Sequence, residues 1–197
     1  VKEIAFWMNV SGAVIGSLAA CLYAVRIWRK VEKANLATWA VVWVLDFVGL
    51  YLTYATGNHE PYIQIGWCFA ATLILFAIWK RKGDWRWTRI ETVTLVICIA
   101  SVAVWITGAA REVAILALYG YLAACFISVW PQGKDYLKSP DVARKSAWMW
   151  QVSMLSLALI ITSKWLMGKF GIGDTLVYYL LLGLNAIMTT LCMRKAS

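Results

Sequence analysis

The sequence predicts an all-helical integral membrane protein, and three observations carry that reading. The chain is 62% hydrophobic and only 15% charged, with a mean hydropathy of +0.68 over 197 residues, a balance foreign to soluble domains. Its apolar residues gather into seven stretches, each near the length that crosses about 30 Å of hydrocarbon at about 1.5 Å per residue. The segments between those stretches carry very unequal charge.

Taken in order, the first stretch, 4–27, has no basic region before it and no small-residue cleavage pattern after it. It is expected to be a spanning helix retained in the mature protein, not a signal peptide. The second, 36–55, is Trp-rich and carries Asp46. The third, 62–79, follows a short turn containing His59, Glu60 and Pro61 and ends in Lys80-Arg81-Lys82. The fourth, 91–108, is followed closely by the fifth, 111–130, which ends at Pro131-Gln132. A basic segment then leads to the sixth, 146–166, and the seventh, 175–193.

Charge tests this count. Seven spans put the segments after spans one, three and five, and the C-terminus, on one side. That side collects 15 of the 19 basic residues: Arg26, Arg29, Lys30 and Lys33, then Lys80, Arg81, Lys82, Arg86 and Arg89, then Lys134, Lys138, Arg144 and Lys145, then Arg194 and Lys195. Only Lys2, Arg111, Lys164 and Lys169 fall on the other. The positive-inside rule therefore places the N-terminus outside and the C-terminus in the cytoplasm, with the cell membrane as the expected location. The net charge of +9 sits in juxtamembrane clusters and not on one folded face, so anionic lipid at the cytoplasmic surface is the expected partner and nucleic acid is not. The five cysteines all lie in apolar spans without CxxC spacing, so they read as packing residues.

The sequence also repeats itself. Leu18-Ala-Ala-Cys21 recurs 104 residues later as Leu122-Ala-Ala-Cys125. At an offset of 105, Trp43 meets Trp148 and Asp46 meets Gln151. At 113, Lys80-Arg81-Lys82 meets Met193-Arg194-Lys195, which sets Thr72 opposite Asn185. Two three-helix copies separated by one helix start on the same side of the membrane. The expected organisation is a first triple-helix bundle over 1–82, a linker helix within 83–110 and a second bundle over 111–197, two parallel bundles with a substrate path between them.

At Pro131-Gln132, followed by a basic segment and a helix led by Ser146, the chain resembles the PQ-loop/SWEET superfamily. That resemblance implies a 3+1+3 arrangement, an outside N-terminus and transport of a small polar solute such as a sugar. The first half has Ile27-Trp28 at the corresponding place, without proline.

Asp46 lies about ten residues into its span, roughly 15 Å along the helix and near the midplane. A carboxylate there is costly unless protonated, paired or wetted, so it is either an interhelical packing contact or a functional group in a central cavity. Trp43, one turn away on the same helix face, adds a flat ring beside a hydrogen-bonding group, as Trp148 does for Gln151. Asn185 can donate and accept, and the resemblance implies that such an asparagine holds substrate. Its partner position is Thr72. Pro131 with Gln132 offers a bend that gates the cytoplasmic side, or simply a helix stop.

The chain lacks a Walker A loop, HExxH, GxSxG and any His/Cys cluster, so no enzyme activity, metal or cofactor is expected. One His beside one carboxylate is too little for a metal site. Span seven has no mid-depth lysine for a retinal Schiff base. The expected function is alternating-access transport of a small polar solute, passive or proton-linked. The alternative is a noncatalytic membrane receptor or accessory subunit that binds a peptide, lipid or protein. The oligomeric state is left open, a homo-oligomer included.

Overall fold

A computed structural model describes residues 1–31, 34–55, 62–107, 111–169 and 175–193, without the side chains of 107, 111–114, 135, 140 and 142. All regular structure among these residues is helical: α1 (Lys2–Trp28), α2 (Leu36–Ala55), α3 (Tyr62–Lys80), α4 (Arg89–Thr107), α5 (Arg111–Ser128), α6 (Trp130–Lys138), α7 (Pro140–Leu166) and α8 (Val177–Met193). Six membrane-length apolar segments are present: α1 to α4, the run 115–138 that joins α5 to α6, and most of α7. The apolar α8 is shorter, at 17 residues. The chain is thus an integral membrane protein. The turn around His59, together with Lys33, Arg194 and Lys195, lies outside the described residues.

The helix ends follow from local chemistry. Asn35 caps α2 by accepting from the Ala37 N–H at 3.1 Å, and its amide donates to the Arg86 carbonyl at 2.7 Å. Thr88 and Glu91 form a capping box at the start of α4. The Ile90 N–H donates to the Thr88 hydroxyl, while the Thr88 N–H donates to the Glu91 carboxylate at 2.8 Å. The same carboxylate accepts from the Thr38 hydroxyl at 2.7 Å, which ties α4 to α2. At the other ends, α1, α3 and α7 close with the paired reverse bonds of a Schellman motif. Gly168 holds the left-handed position after α7, but after α1 and α3 that position is occupied by Lys30 and Lys82.

In the interior, α3 packs against both α1 and α2; α8 packs against α7 and touches α5; α4 lies against α5 and α2. Helices before and after α4 meet where α1 runs along α7 and where α2 meets α5. The α1–α7 seam is close because Gly12 and Gly16 face Ser156 and Ile160; a Cβ on Gly12 would stand 2.8 Å from Ile160 Cγ1 and from the Ser156 carbonyl. Ser156 Oγ donates to the Gly12 carbonyl at 2.6 Å, and Ser163 Oγ donates to the Ala5 carbonyl.

Buried residues form two clusters, each drawing on helices before and after α4. One includes Leu45, Leu52, Ile63, Leu118, Tyr121, Ile160 and Tyr178 toward the 55/62 ends of α2 and α3. The other includes Tyr23, Ile74, Ile78, Tyr136, Trp150 and Met188 toward the basic ends.

Burial also recurs along the chain, in a register slightly different from the letters. Gly12, Ala13 and Ala19 are buried in α1, and so are Ala117, Leu118 and Ala124, 105 residues later. The LAAC match at 104 sets exposed Leu18 against buried Leu122. Between α3 and α8 the offset is 114: Gln64, Ala70, Ala71, Ile74 and Ile78 are buried, as are Tyr178, Leu184, Asn185, Met188 and Cys192. In burial Asn185 matches Ala71, where the sequence alignment sets it against Thr72.

Candidate functional site

α2 and α3 run antiparallel, so residues one turn apart on one helix meet residues one turn apart on the other. Trp43 Nε1 donates to Thr72 Oγ1 at 2.9 Å, and the Thr72 hydroxyl donates back to the Cys68 carbonyl at 2.8 Å. One turn along, Asp46 lies half-buried within electrostatic range of Cys68 on α3 and of Tyr121 and Cys125 on α5. The acid therefore stands where α2 meets α5. Among the described residues nothing donates a hydrogen bond to its carboxyl and no cation pairs with it. A neutral acid there can donate as well as accept, and a charged one demands a partner. Phe47, beside it in sequence, is exposed and packs its ring 4.9 Å from that of Trp43.

Three of the six substrate-binding candidates, Asp46, Trp43 and Thr72, are therefore adjacent, with Thr72 on the exposed stripe of α3 that also carries Ile65, Phe69 and Phe76. The other three are placed differently. Gln151 is exposed on the outward stripe of α7 that also carries Leu155, Ala158, Thr162 and Trp165, so it does not face Asp46. Trp148 is half-buried under the Arg26 guanidinium, whose carbon lies 5.8 Å from the ring centre. Asn185 is buried between Leu181 of one cluster and Met188 of the other, and its amide donates to the Leu181 carbonyl at 2.7 Å. A single-turn bond of that kind holds the side chain along its own helix.

Pro131 and Gln132 lie half-buried at a break. Regular α5 stops at Ser128, and Pro131 is the second residue of α6, a position where its missing N–H costs nothing. What the sequence reads as a basic loop is in part this short helix, packed against α7 and α8. Gln132 Nε2 donates to the Tyr136 hydroxyl at 2.6 Å, and Trp150 Nε1 donates to the same oxygen at 3.3 Å. Gln132 thus helps to hold α6 onto α7.

Two features were missed by the sequence reading. Gln64 and Tyr178 are both buried and exchange hydrogen bonds at 3.2 and 3.3 Å between α3 and α8. Glu91, with 2% of its surface exposed, joins α4 to α2. The spacing Thr88-x-x-Glu91 is a capping-box signal; nothing local marks Gln64 and Tyr178 as partners. No metal-binding group of three or more His, Cys, Asp or Glu occurs among the described residues.

The chain matches no protein-family model, no curated protein and no solved structure.

Proposed function

We propose that this protein is an alternating-access carrier of a small polar solute in the cell membrane, in which two parallel triple-helix bundles rock about α4 as linker. The observation that carries the reading is Asp46: a mid-depth acid without a partner among the described residues, beside the Trp43–Thr72 pair and at the α2–α5 contact between halves. Maintaining such a group in a membrane is expensive, and its common use is in proton or solute pathways. The burial register at 105 and 114 supports the repeat. So does the pairing of helices: exchanging the halves turns the α1–α7 contact into the α5–α2 contact. Pro131-Gln132 supports the PQ-loop/SWEET likeness.

In this reading Trp43 stacks on a flat solute ring, Thr72 and Asp46 hydrogen-bond it, and Asn185 supplies an amide once its own-helix bond opens. Gln64 and Tyr178 close the outer end; Gln132, Tyr136 and Trp150 brace the cytoplasmic end. Thermal-shift screening of the purified protein against sugars, amino acids and vitamins identifies the solute, and proteoliposome uptake tests the mechanism. Asp46→Asn should remove pH-dependent uptake while leaving the melting temperature within a few degrees. Unchanged pH dependence ends the proton role, and no solute response in either assay ends the carrier reading.

One observation favours the second reading, a noncatalytic accessory subunit or receptor. The α1–α7 seam is tight, with Gly12 and Gly16, one turn apart, both against Ser156. A seam that dense suits a fixed scaffold. Cross-linking α1 to α7 through cysteines at Ala5 and Ser163, which face each other across the seam, separates the two: a scaffold keeps its function when linked, and a rocking carrier does not.

A further inference from the structure

The parallel helices α1 and α3 finish side by side in nearly the same words, Ile27-Trp28-Arg29-Lys30 and Ile78-Trp79-Lys80-Arg81-Lys82. Their rings and cations interlock across the pair. Trp28 stacks on Phe76 at 6.0 Å with 18° between planes, and Phe76 meets Trp79 at 6.1 Å. Arg81 lies 5.2 Å over the Trp28 ring, and Lys80 Nζ lies 5.0 Å from the Trp79 ring centre and 5.8 Å from that of Phe76. All three rings and all five cations are exposed. No described carboxylate pairs with Arg29, Lys30, Lys80, Arg81 or Lys82; the nearby Asp84 bonds Arg86 instead.

Helix C-termini accept some positive charge, but only about half an elementary charge each. Five cations against two such ends leave an excess of about four charges. The position after each helix, where glycine is the ordinary choice, is held in left-handed backbone by lysine. Cations poised over exposed aromatic faces at the level of a bilayer interface match a ligand that is apolar below and anionic above.

We propose that the joined ends of α1 and α3 form a binding site for one anionic phospholipid of the cytoplasmic leaflet. Trp28, Phe76 and Trp79 lie along its glycerol and upper acyl region, and Lys80 and Arg81 bind its phosphate. The source is the bilayer, since the ring platform has no use for a free phosphate ion. The inference rests on the orientation argued from charge but not on transport.

Native mass spectrometry and thermal unfolding of the whole protein in POPC nanodiscs, with and without POPG, test it. Such nanodiscs are symmetric, so a wrong orientation cannot mimic a failed site. Wild type should retain POPG and melt higher with it than in POPC alone. Lys80→Ala/Arg81→Ala should bind POPG about 30-fold more weakly, at about 1 kcal/mol for each cation. Lys80→Arg/Arg81→Lys should bind as wild type does, which separates lost charge from lost folding. Arg144→Ala/Lys145→Ala, the same charge removed elsewhere, should change binding less than threefold. Equal losses in both alanine pairs, or equal stabilisation by soluble inorganic phosphate, would overturn the proposal.

Discussion

Gln64 on α3 and Tyr178 on α8 stand 114 residues apart, and each donates a hydrogen bond to the other in a buried setting. The same offset relates the burial patterns of α3 and α8. Residues at equivalent positions of a two-fold repeat can touch only beside its axis. Under the proposed repeat this pair therefore marks the axis near the outer end.

Removing the Tyr178 hydroxyl strands a buried amide, and the asymmetry of hydrogen-bond energetics makes that worse than removing both partners. Tyr178→Phe should lower stability by about 1–3 kcal/mol, and Gln64→Leu in the same background should recover part of the loss. Thermal unfolding in detergent reads this as a shift of about 2–4 °C per kcal/mol. Strictly additive losses would show that the two side chains do not depend on each other.

Gly49 on α2 lies under the ring tip of Tyr121, so a methyl group there collides with the ring carbon and hydroxyl. Gly183 on α8 has nothing within 4 Å of the same added atom. Gly49→Ala should cost about 1–3 kcal/mol through overpacking of the α2–α5 contact. Gly183→Ala should be neutral, or stabilise by up to about 1 kcal/mol through helix propensity. Chemical denaturation of the two variants compares them directly. Equal effects would mean that α2 and α5 do not approach as closely as Gly49 requires.

Glu91 performs two tasks at one helix start, capping α4 and accepting from Thr38 on α2. Glu91→Ala should cost about 1–3 kcal/mol, combining a lost cap with an uncompensated hydroxyl. Glu91→Gln keeps capping-box geometry and should retain most of that stability. Hydrogen exchange at the first turn of α4 locates the effect. Protection unchanged there in Glu91→Ala would remove the capping role.

The helices were legible because hydropathy reports burial in lipid directly: 36–55 was read to the residue, and α3 to within one. α6 was not, since Lys134 and Lys138 make it too polar for that measure, and only its contacts through Gly133 and Tyr136 reveal a buried side. The letters match at an offset of 104, whereas burial along α1 and α5 matches at 105. Leu and Ala recur cheaply in any apolar helix, whereas the alternation of buried and exposed positions is fixed by packing. Asp46 was legible at its depth because a lone midspan acid is conspicuous. Gln151 was not, because a letter match at an offset does not say which way a helix face turns. Gln64 and Tyr178 differ in chemistry, so no alignment of letters would pair them.

The charge asymmetry makes a prediction about sidedness that needs no substrate. All five native cysteines lie within helices, none of them exposed, so a membrane-impermeant maleimide should find little to label in wild type. A cysteine at exposed Lys82 should then react only in inside-out vesicles or permeabilised cells, and one at exposed Gly168, after α7, only from the outside of intact cells. Lys82 adjoins the basic ends of α1 and α3, and Gly168 the opposite end of the bundle, so the pair reports orientation from both faces. Reversal of both labels would invert the topology and put the proposed lipid site in the outer leaflet. Labelling of both from one side would break the span count itself, because α4, α5 and α7 must separate the two positions by an odd number of crossings.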